Sequence, residues 1–381
     1  MKRKFAPVLL MFCSILFACA PLNDTTLISK NASLREVTLQ PKEYTEEITI
    51  SSIGDILIHS PVYQDAKGKN GYDFVPMFDK VRPYLEDSTI TVANQETMIG
   101  GEEIGLSSYP SFNSPQEVGD ALKEIGVDVV TIANNHTLDR GEKAIQRAIE
   151  HWETIDMMYT GSYKDERDRE NLRVYKTEEG VSVAFLSYTY GTNGIPIPEG
   201  KDFLVNIINK EQIGNEIELA KNKADVVILS LHFGNEYERY PNDTQKDLVQ
   251  FAADQGVHAV IGHHPHVLQP MEWVTGKDGN KVLVAYSLGN FLSNQQGLYK
   301  RIGGILQFTI LKKTKGDHVN IEVHAPKFIP TYVTFTPDWT DYQVVPMYQL
   351  TDNQLKDSNG QYKAIKSHMS QWLPELQFPE K

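Results

Sequence analysis

The chain has 381 residues, 40% of them hydrophobic and 23% charged, with a formal net charge of −13 and two cysteines. This length is ample for a sizeable core, and so acidic a body argues against nucleic acid or a bare anionic surface as partner. Cys13 and Cys19 both lie at the extreme N-terminus, so stability has to come from packing and not from an internal disulfide.

The chain opens with basic Lys2-Arg3-Lys4, an apolar run from Phe5 to Ala18, and Cys19 after Leu16-Phe17-Ala18. That is the pattern of a signal peptide, and the run is shorter than the roughly 20 residues needed to span a bilayer. Its end resembles the lipobox of bacterial lipoproteins, which predicts removal of 1–18 and acylation of Cys19. A short transmembrane anchor is the alternative. On either reading the rest of the chain is expected at the extracytoplasmic face of the bacterial cell membrane, and acylation would hold it there through membrane lipid.

Residues 19–45 are polar without apolar period and read as a tether. Strands and helices then alternate. Strands are expected at 48–53 and 89–93. Ser114-Pro115-Gln116-Glu117 fits a capping box opening a helix that stops at Gly126, and the β-branched run 127–133 is a buried strand. Further strands are expected at 181–188, 224–231, 257–261, 282–286, 305–311 and 319–323. A helix from Asn242-Asp243 to Gly256 precedes the strand at 257–261. The pattern gives an α/β domain over 46–337, with two sheets packed face to face and helices outside. Residues 338–381 read as a peripheral C-terminal segment.

Five apolar strands each end in a polar cluster: Gly54-Asp55, Asn94-Gln95-Glu96, Asn134-Asn135-His136, His232-Phe233-Gly234 and Gly262-His263-His264-Pro265-His266. Carboxyl ends of strands form the ligand crevice of α/β sheets, so five segments are expected to converge. Their mixed nitrogen and oxygen donors suit Mn, Fe or Zn better than Ca or a thiolate-selected metal. The number of candidate ligands exceeds what one tetrahedral ion takes and points to two divalent ions. Such a pair would serve ester hydrolysis, with His136 as proton donor to the leaving group. His264 and His266 form a chelate on one short loop, and His263 is expected to turn away.

Other residues carry weaker signals. His59 is equally a ligand or a loop residue. Asp139 reads as a helix cap or an orienter of His136. Glu236 fits a solvated charge run, Arg301 is a weak candidate for anion binding, and Gly289 and Asn290 read as turn residues that also line the cleft.

Six motifs in order over about residues 48–310 carry a family resemblance. They are Gly54-Asp55; Asn94-Gln95-Glu96; Ala133-Asn134-Asn135-His136 with Asp139 and Gly141; His232-Phe233-Gly234-Asn235-Glu236-Tyr237; Gly262 to Leu268; and Tyr286-Ser287-Leu288-Gly289-Asn290-Phe291. Together they resemble the CapA/PgsA-type poly-γ-glutamate capsule biosynthesis proteins, which look like a branch of the calcineurin-like metallophosphoesterases. The resemblance implies a four-layer α-β-β-α sandwich and a two-metal site. Its ligands would be Asp55, Glu96, Asn135, His232, His264 and His266, with His136 as the catalytic histidine.

This chain departs from the phosphoesterase pattern at Leu57, where that pattern has His, and at Glu96, where it has Asp. Capsule proteins of this type usually carry a transmembrane helix where this chain reads as acylated. Two functions follow as expectations: a metal-dependent hydrolase of a phosphoester or related envelope bond, or a non-catalytic accessory working with the membrane subunits of a poly-γ-glutamate synthase.

Overall fold

The computed structural model describes residues 42–379. The expected signal peptide, Cys19 and nearly all of the tether lie outside these residues.

In chain order the first half contains β1 (Glu43–Leu57), α1 (Ser60–Asp65), β2 (Lys67–Gly68), β3 (Gly71–Tyr72), α2 (Arg82–Glu86), β4 (Ile90–Gln95), α3 (Glu117–Glu124), β5 (Val129–Thr131), α4 (Gly141–Thr154) and β6 (Met158–Thr160). The second half follows with α5 (Glu166–Glu170), β7 (Val174–Lys176), β8 (Ser182–Thr189), α6 (Lys210–Lys221), β9 (Val226–His232), α7 (Asp243–Gln255), β10 (Ala259–His263), β11 (Leu268–Thr275) and β12 (Lys281–Leu288). It closes with β13 (Asn290–Ser293), β14 (Ile302–Lys315), β15 (His318–Thr334), β16 (Gln343–Pro346) and α8 (Ser358–Ser370).

Two sheets carry the fold. The larger has the order β16-β15-β14-β1-β4-β5-β6 with β13 beside β1, and the smaller has the order β11-β12-β10-β9-β8-β7. β1, β4, β5 and β6 run parallel, as do β8, β9, β10 and β12. Side-chain alternation along a strand sorts their residues into three apolar layers. Ile48, Ile50, Ile90 and Val92 of the larger sheet pack with Phe185, Ile228, Ile261 and Leu283 of the smaller one. The other face of the larger sheet is covered by α3 and α4 through Val118, Leu122, Ile145 and Trp152. The other face of the smaller sheet is covered by α6 and α7 through Ile213, Ile217, Val249 and Ala252. The result is the four-layer α-β-β-α sandwich.

Local signals differ in how they are used. The Asn242 side chain accepts from the Gln245 backbone N–H while the Gln245 side chain returns to Asn242, and Gly256 ends α7 in the left-handed region at φ 88°. This reciprocal cap satisfies two free backbone donors at the start of α7. The capping box expected at Ser114 does not form. Ser114 Oγ instead donates to Thr97 Oγ1 at 2.8 Å, and α3 begins only at Glu117 without a side-chain cap.

The C-terminal segment is not peripheral. β16 pairs with β15, and Val345, Met347, Leu350, Ile365, Met369 and Leu373 are buried in the layer between the sheets. The apolar residues that seal this edge are widely spaced along 338–379, too sparse to show a clear period in the sequence.

Candidate metal centre

All five polar clusters lie at carboxyl ends of parallel strands, three from the larger sheet and two from the smaller. In β4, Ile90 and Val92 face the smaller sheet, so by alternation Asn94 and Glu96 point the same way at the strand's end. In β9 and β10, Ile228 and Ile261 face the larger sheet, which brings His232 and His263 inward against them. The register pairs His263 directly with His232.

β10 therefore continues two residues further than expected, to His263, which does not turn away. Its Nδ1 lies 3.3 Å from Asp55 Oδ1, and the ring is buried. Gly262 permits this approach, since a Cβ there would lie 1.9 Å from the Tyr286 carbonyl oxygen. The chain then leaves the sheet through two left-handed residues, His264 at φ 96° and His266 at φ 56°. This backbone is uncommon for non-glycine residues and turns both rings back into the cleft.

Two ligand groups share Glu96. Atoms of Glu96, His232 and His264 converge within 4.8 Å of one another, and so do those of Asp55, Glu96 and His266. Asn135 joins the first group, its Oδ1 2.7 Å from His232 Nε2. His266 Nδ1 is 3.1 Å from Asp55 Oδ2, and its Nε2 is 3.6 Å from Glu96 Oε1. Asn94 donates to Asp55 Oδ1 at 2.8 Å, and Asn290 Oδ1 lies 3.1 Å from His266 Nδ1.

The electrostatics fit divalent cations. Glu96 is fully buried and neither of its carboxylate oxygens has a hydrogen-bond partner, a costly arrangement unless a positive charge completes it. Burial, with Asp55 and Glu236 nearby, pushes its carboxyl well above the usual range even though His266 opposes the shift. Burial would raise Asp55 as well, but contacts from His263 and His266 hold it well below. Burial and neighbouring histidines keep His232 far below its ordinary value and bring His264 to about 3. Both are therefore neutral imidazoles, the form a metal takes, and the Nδ1 atoms of both lack hydrogen-bond partners. Burial lowers His266 too, but Glu96 and Asp55 outweigh it and raise the ring to about 9. The donor set fits a divalent metal, which Glu96 would hold together with Asp55 and His266 or with Asn135, His232 and His264.

His136 stands beside this cluster, nearly buried, with Nδ1 2.7 Å from Asp139 Oδ2. Asp139 also accepts the Phe112 backbone N–H at 2.7 Å. It is thus a carboxylate that holds a histidine ring, and α4 has no side-chain cap at its start. Phe112 packs edge-on against both His136 and His59. His59 itself bonds through Nδ1 to the Leu57 carbonyl, and burial lowers it to about 4. It forms part of the wall and is not in either group sharing Glu96. Glu236 does reach the centre, converging with His264 and His266 from an exposed loop. Arg301 is engaged elsewhere, its guanidinium packed over the rings of Tyr332 and Phe335 and Nε donating to the Val333 carbonyl.

Two contributors were not legible as site residues. Asn193, at φ 52°, accepts from Asn135 Nδ2 at 3.2 Å and lies 3.4 Å from His136 Nδ1. Its only sequence signal is the Asn193-Gly194 turn. Tyr190 tilts over His264 with ring centres 4.6 Å apart, and it follows β8, whose end carries no histidine or carboxylate.

Residues 49–295 match the family of bacterial capsule synthesis proteins named PGA_cap. The capsule biosynthesis protein CapA of Bacillus anthracis is 29% identical over 300 residues, covering 76% of this chain and 70% of that protein. The PGA biosynthesis protein CapA of Bacillus subtilis is 26% identical over 302 residues, covering 75% of each. Among solved structures, a calcineurin-like phosphoesterase of Bacillus subtilis superposes with a TM-score of 0.43 at 14% identity, covering 84% of this chain and 99% of that one. The family match spans every residue of the centre described above, and the chain belongs to the bacterial capsule synthesis protein PGA_cap family.

Proposed function

We propose that this protein is a metal-dependent hydrolase of capsule biosynthesis, cleaving a phosphoester or a related envelope bond at the extracytoplasmic face of the membrane. The observation that carries the reading is Glu96, a buried carboxylate whose oxygens have no hydrogen-bond partner and which lies between two sets of histidine and carboxylate donors. Divalent ions held there would supply positive charge to offset the negative charge an ester accumulates as it is cleaved.

The chain's own groups provide the rest. Asp139 fixes Nδ1 of His136, which leaves Nε2 to hand a proton to the departing oxygen. Asn193 connects that ring to the ligand Asn135. Phe112 and His59 close one wall and keep water from the far side of His136. Acylation of Cys19 would tether the domain to membrane lipid, where membrane subunits of a polymer synthase are the natural partners.

A second reading has one observation in its favour. Leu57 stands two residues after Asp55 and is buried, so the Asp55 side of the centre has fewer protein donors than the His232 side. A half-filled centre would suit a non-catalytic accessory that binds polymer or assembles the synthase. Metal analysis of the purified protein together with hydrolysis of an aryl phosphate in Mn²⁺ separates the two. Turnover abolished by His136→Ala supports the hydrolase; metal below one equivalent with no turnover supports the accessory.

A further inference from the structure

Beside the metal centre, the carboxyl ends of β8 and β9, the segment before α6 and the start of α7 enclose a cavity of 280 Å³. Crevices at such strand ends are where α/β sheets take their ligands. Phe233, which directly follows the ligand candidate His232, and Leu248 of α7 are only 3% and 4% exposed and form its apolar wall together with Ile208. Tyr190 is the wall it shares with the centre. This ring lines the cavity and lies 4.6 Å from that of His264, and its backbone N–H donates to the His232 carbonyl at 3.0 Å.

The lining differs in chemistry from the centre beside it. In a chain that is 23% charged, no charged side chain lines this cavity. An ion moved into it would lose water without gaining a partner, so the occupant is neutral. Asn235 and Thr244 place an amide and a hydroxyl at its exposed rim. Gln245 lines it too, but its amide already donates to Gln269 Oε1 at 2.9 Å and accepts the Asn242 backbone N–H at 3.1 Å. Polar recognition therefore falls to the rim. A plain hydrocarbon would leave that rim unused, whereas a sugar ring offers an apolar face to Tyr190 and Phe233 and hydroxyls to Asn235 and Thr244. Pockets for drug-sized ligands hold about 300–1,000 Å³, so this space suits one ring and not a chain.

We propose that this cavity is a specificity subsite for a neutral sugar ring, the alcohol portion of a phosphoester whose phosphorus sits at the metal centre. The proposal rests on the hydrolase reading above and names the substrate class of the same site. Its placement suits the leaving-group side of the ester. Tyr190 is followed on the same short loop by Asn193, whose Nδ2 stands 3.4 Å from His136 Nδ1. One segment thus carries both the shared wall of the cavity and a neighbour of the proton donor. Contacts made to the sugar are remote from the bond that breaks, and their binding energy goes into holding the ester in line with His136.

The test compares small phosphate esters as substrates of the full chain in Mn²⁺. The best of the 6-phosphates of glucose, mannose, galactose and N-acetylglucosamine should exceed ethyl phosphate in kcat/KM by about tenfold or more. Thr244→Trp, which fills the cavity from an exposed position, should bring the two within about twofold and leave ethyl phosphate turnover unchanged. Asn235→Ala should lower the preference by about three- to tenfold, the loss of one hydrogen bond. The proposal is overturned by equal rates on sugar and ethyl esters, by a preference that survives Thr244→Trp, or by n-hexyl phosphate preferred as strongly as the sugar esters. Saturation-transfer NMR with the methyl glycosides of the same four sugars, in chelator, reads the cavity without metal or turnover. A signal that Thr244→Trp abolishes is expected, and no signal from any of the four would overturn the subsite. Absent ester hydrolysis with that signal retained would end the hydrolase reading and leave the sugar site standing.

Discussion

Glu96 concentrates the chemistry of the site in one side chain. Its carboxyl is held well above the usual range by burial, so without metal the amide of Glu96→Gln replaces a neutral acid of the same shape. Melting of Glu96→Gln in chelator should therefore stay close to that of the unaltered chain, while bound metal falls sharply because the amide cannot supply the negative charge. Metal content unchanged in Glu96→Gln would mean that the carboxylate is not needed to hold it. Asp139 makes a separable contribution. Asp139→Asn keeps the contact with Phe112 but loses the carboxylate that fixes His136, so aryl phosphate turnover should fall about 10–100-fold with metal content unchanged. Turnover within twofold of the original would remove Asp139 from the proton path.

At the scale of strands and helices, the sequence displayed the site well because each ligand ends an apolar run, and such runs set both strand and facing. Asp55, Glu96, Asn135, His232, His264 and His266 were all legible this way, and the structure draws them together. His263 was misread because the strand end was placed at Ile261; two more residues of β10 turn that side chain inward beside Asp55. The cap at Ser114 failed for a different reason, since a local hydrogen-bond pattern competes with tertiary partners and Thr97 supplied one. Asn193 and Tyr190 sit on a loop whose course no periodicity dictates.

β9 and β10 also carry a pH dependence of their own. His258 Nδ1 accepts the Val227 backbone N–H at 3.0 Å, and burial first, then Lys221, lowers the ring to about 4. The folded value lies below the ordinary one, so the unfolded chain binds the proton more readily. The associated stability is whole above about pH 6.5 and is lost as pH falls toward 4. Denaturant titrations at pH 7 and pH 4.5 should differ by about 1–3 kcal/mol more in the parent chain than in His258→Asn. Equal differences would show that His258 does not contribute.

At the scale of the whole molecule, the fold depends on its C-terminal segment. Tyr342, Val344 and Val345 flank or form the edge strand β16, and Ile365 and Met369 of α8 are buried. Truncation after Pro337 would expose the layer between the sheets, and fully burying one large aliphatic side chain is worth about 1.5–3 kcal/mol. The truncated chain should lose its cooperative thermal transition in circular dichroism; a preserved transition would show that β16 and α8 are dispensable.

The two sheets and their three apolar layers exist, in functional terms, to bring strand ends from both sheets to one buried carboxylate. Metal stoichiometry tests that claim most directly. The purified full chain, loaded with Mn²⁺ and freed of excess, should hold two equivalents by elemental analysis and fall to one or fewer on Glu96→Ala. Less than one equivalent in the unaltered chain, or two retained without Glu96, would contradict a centre held together by that residue.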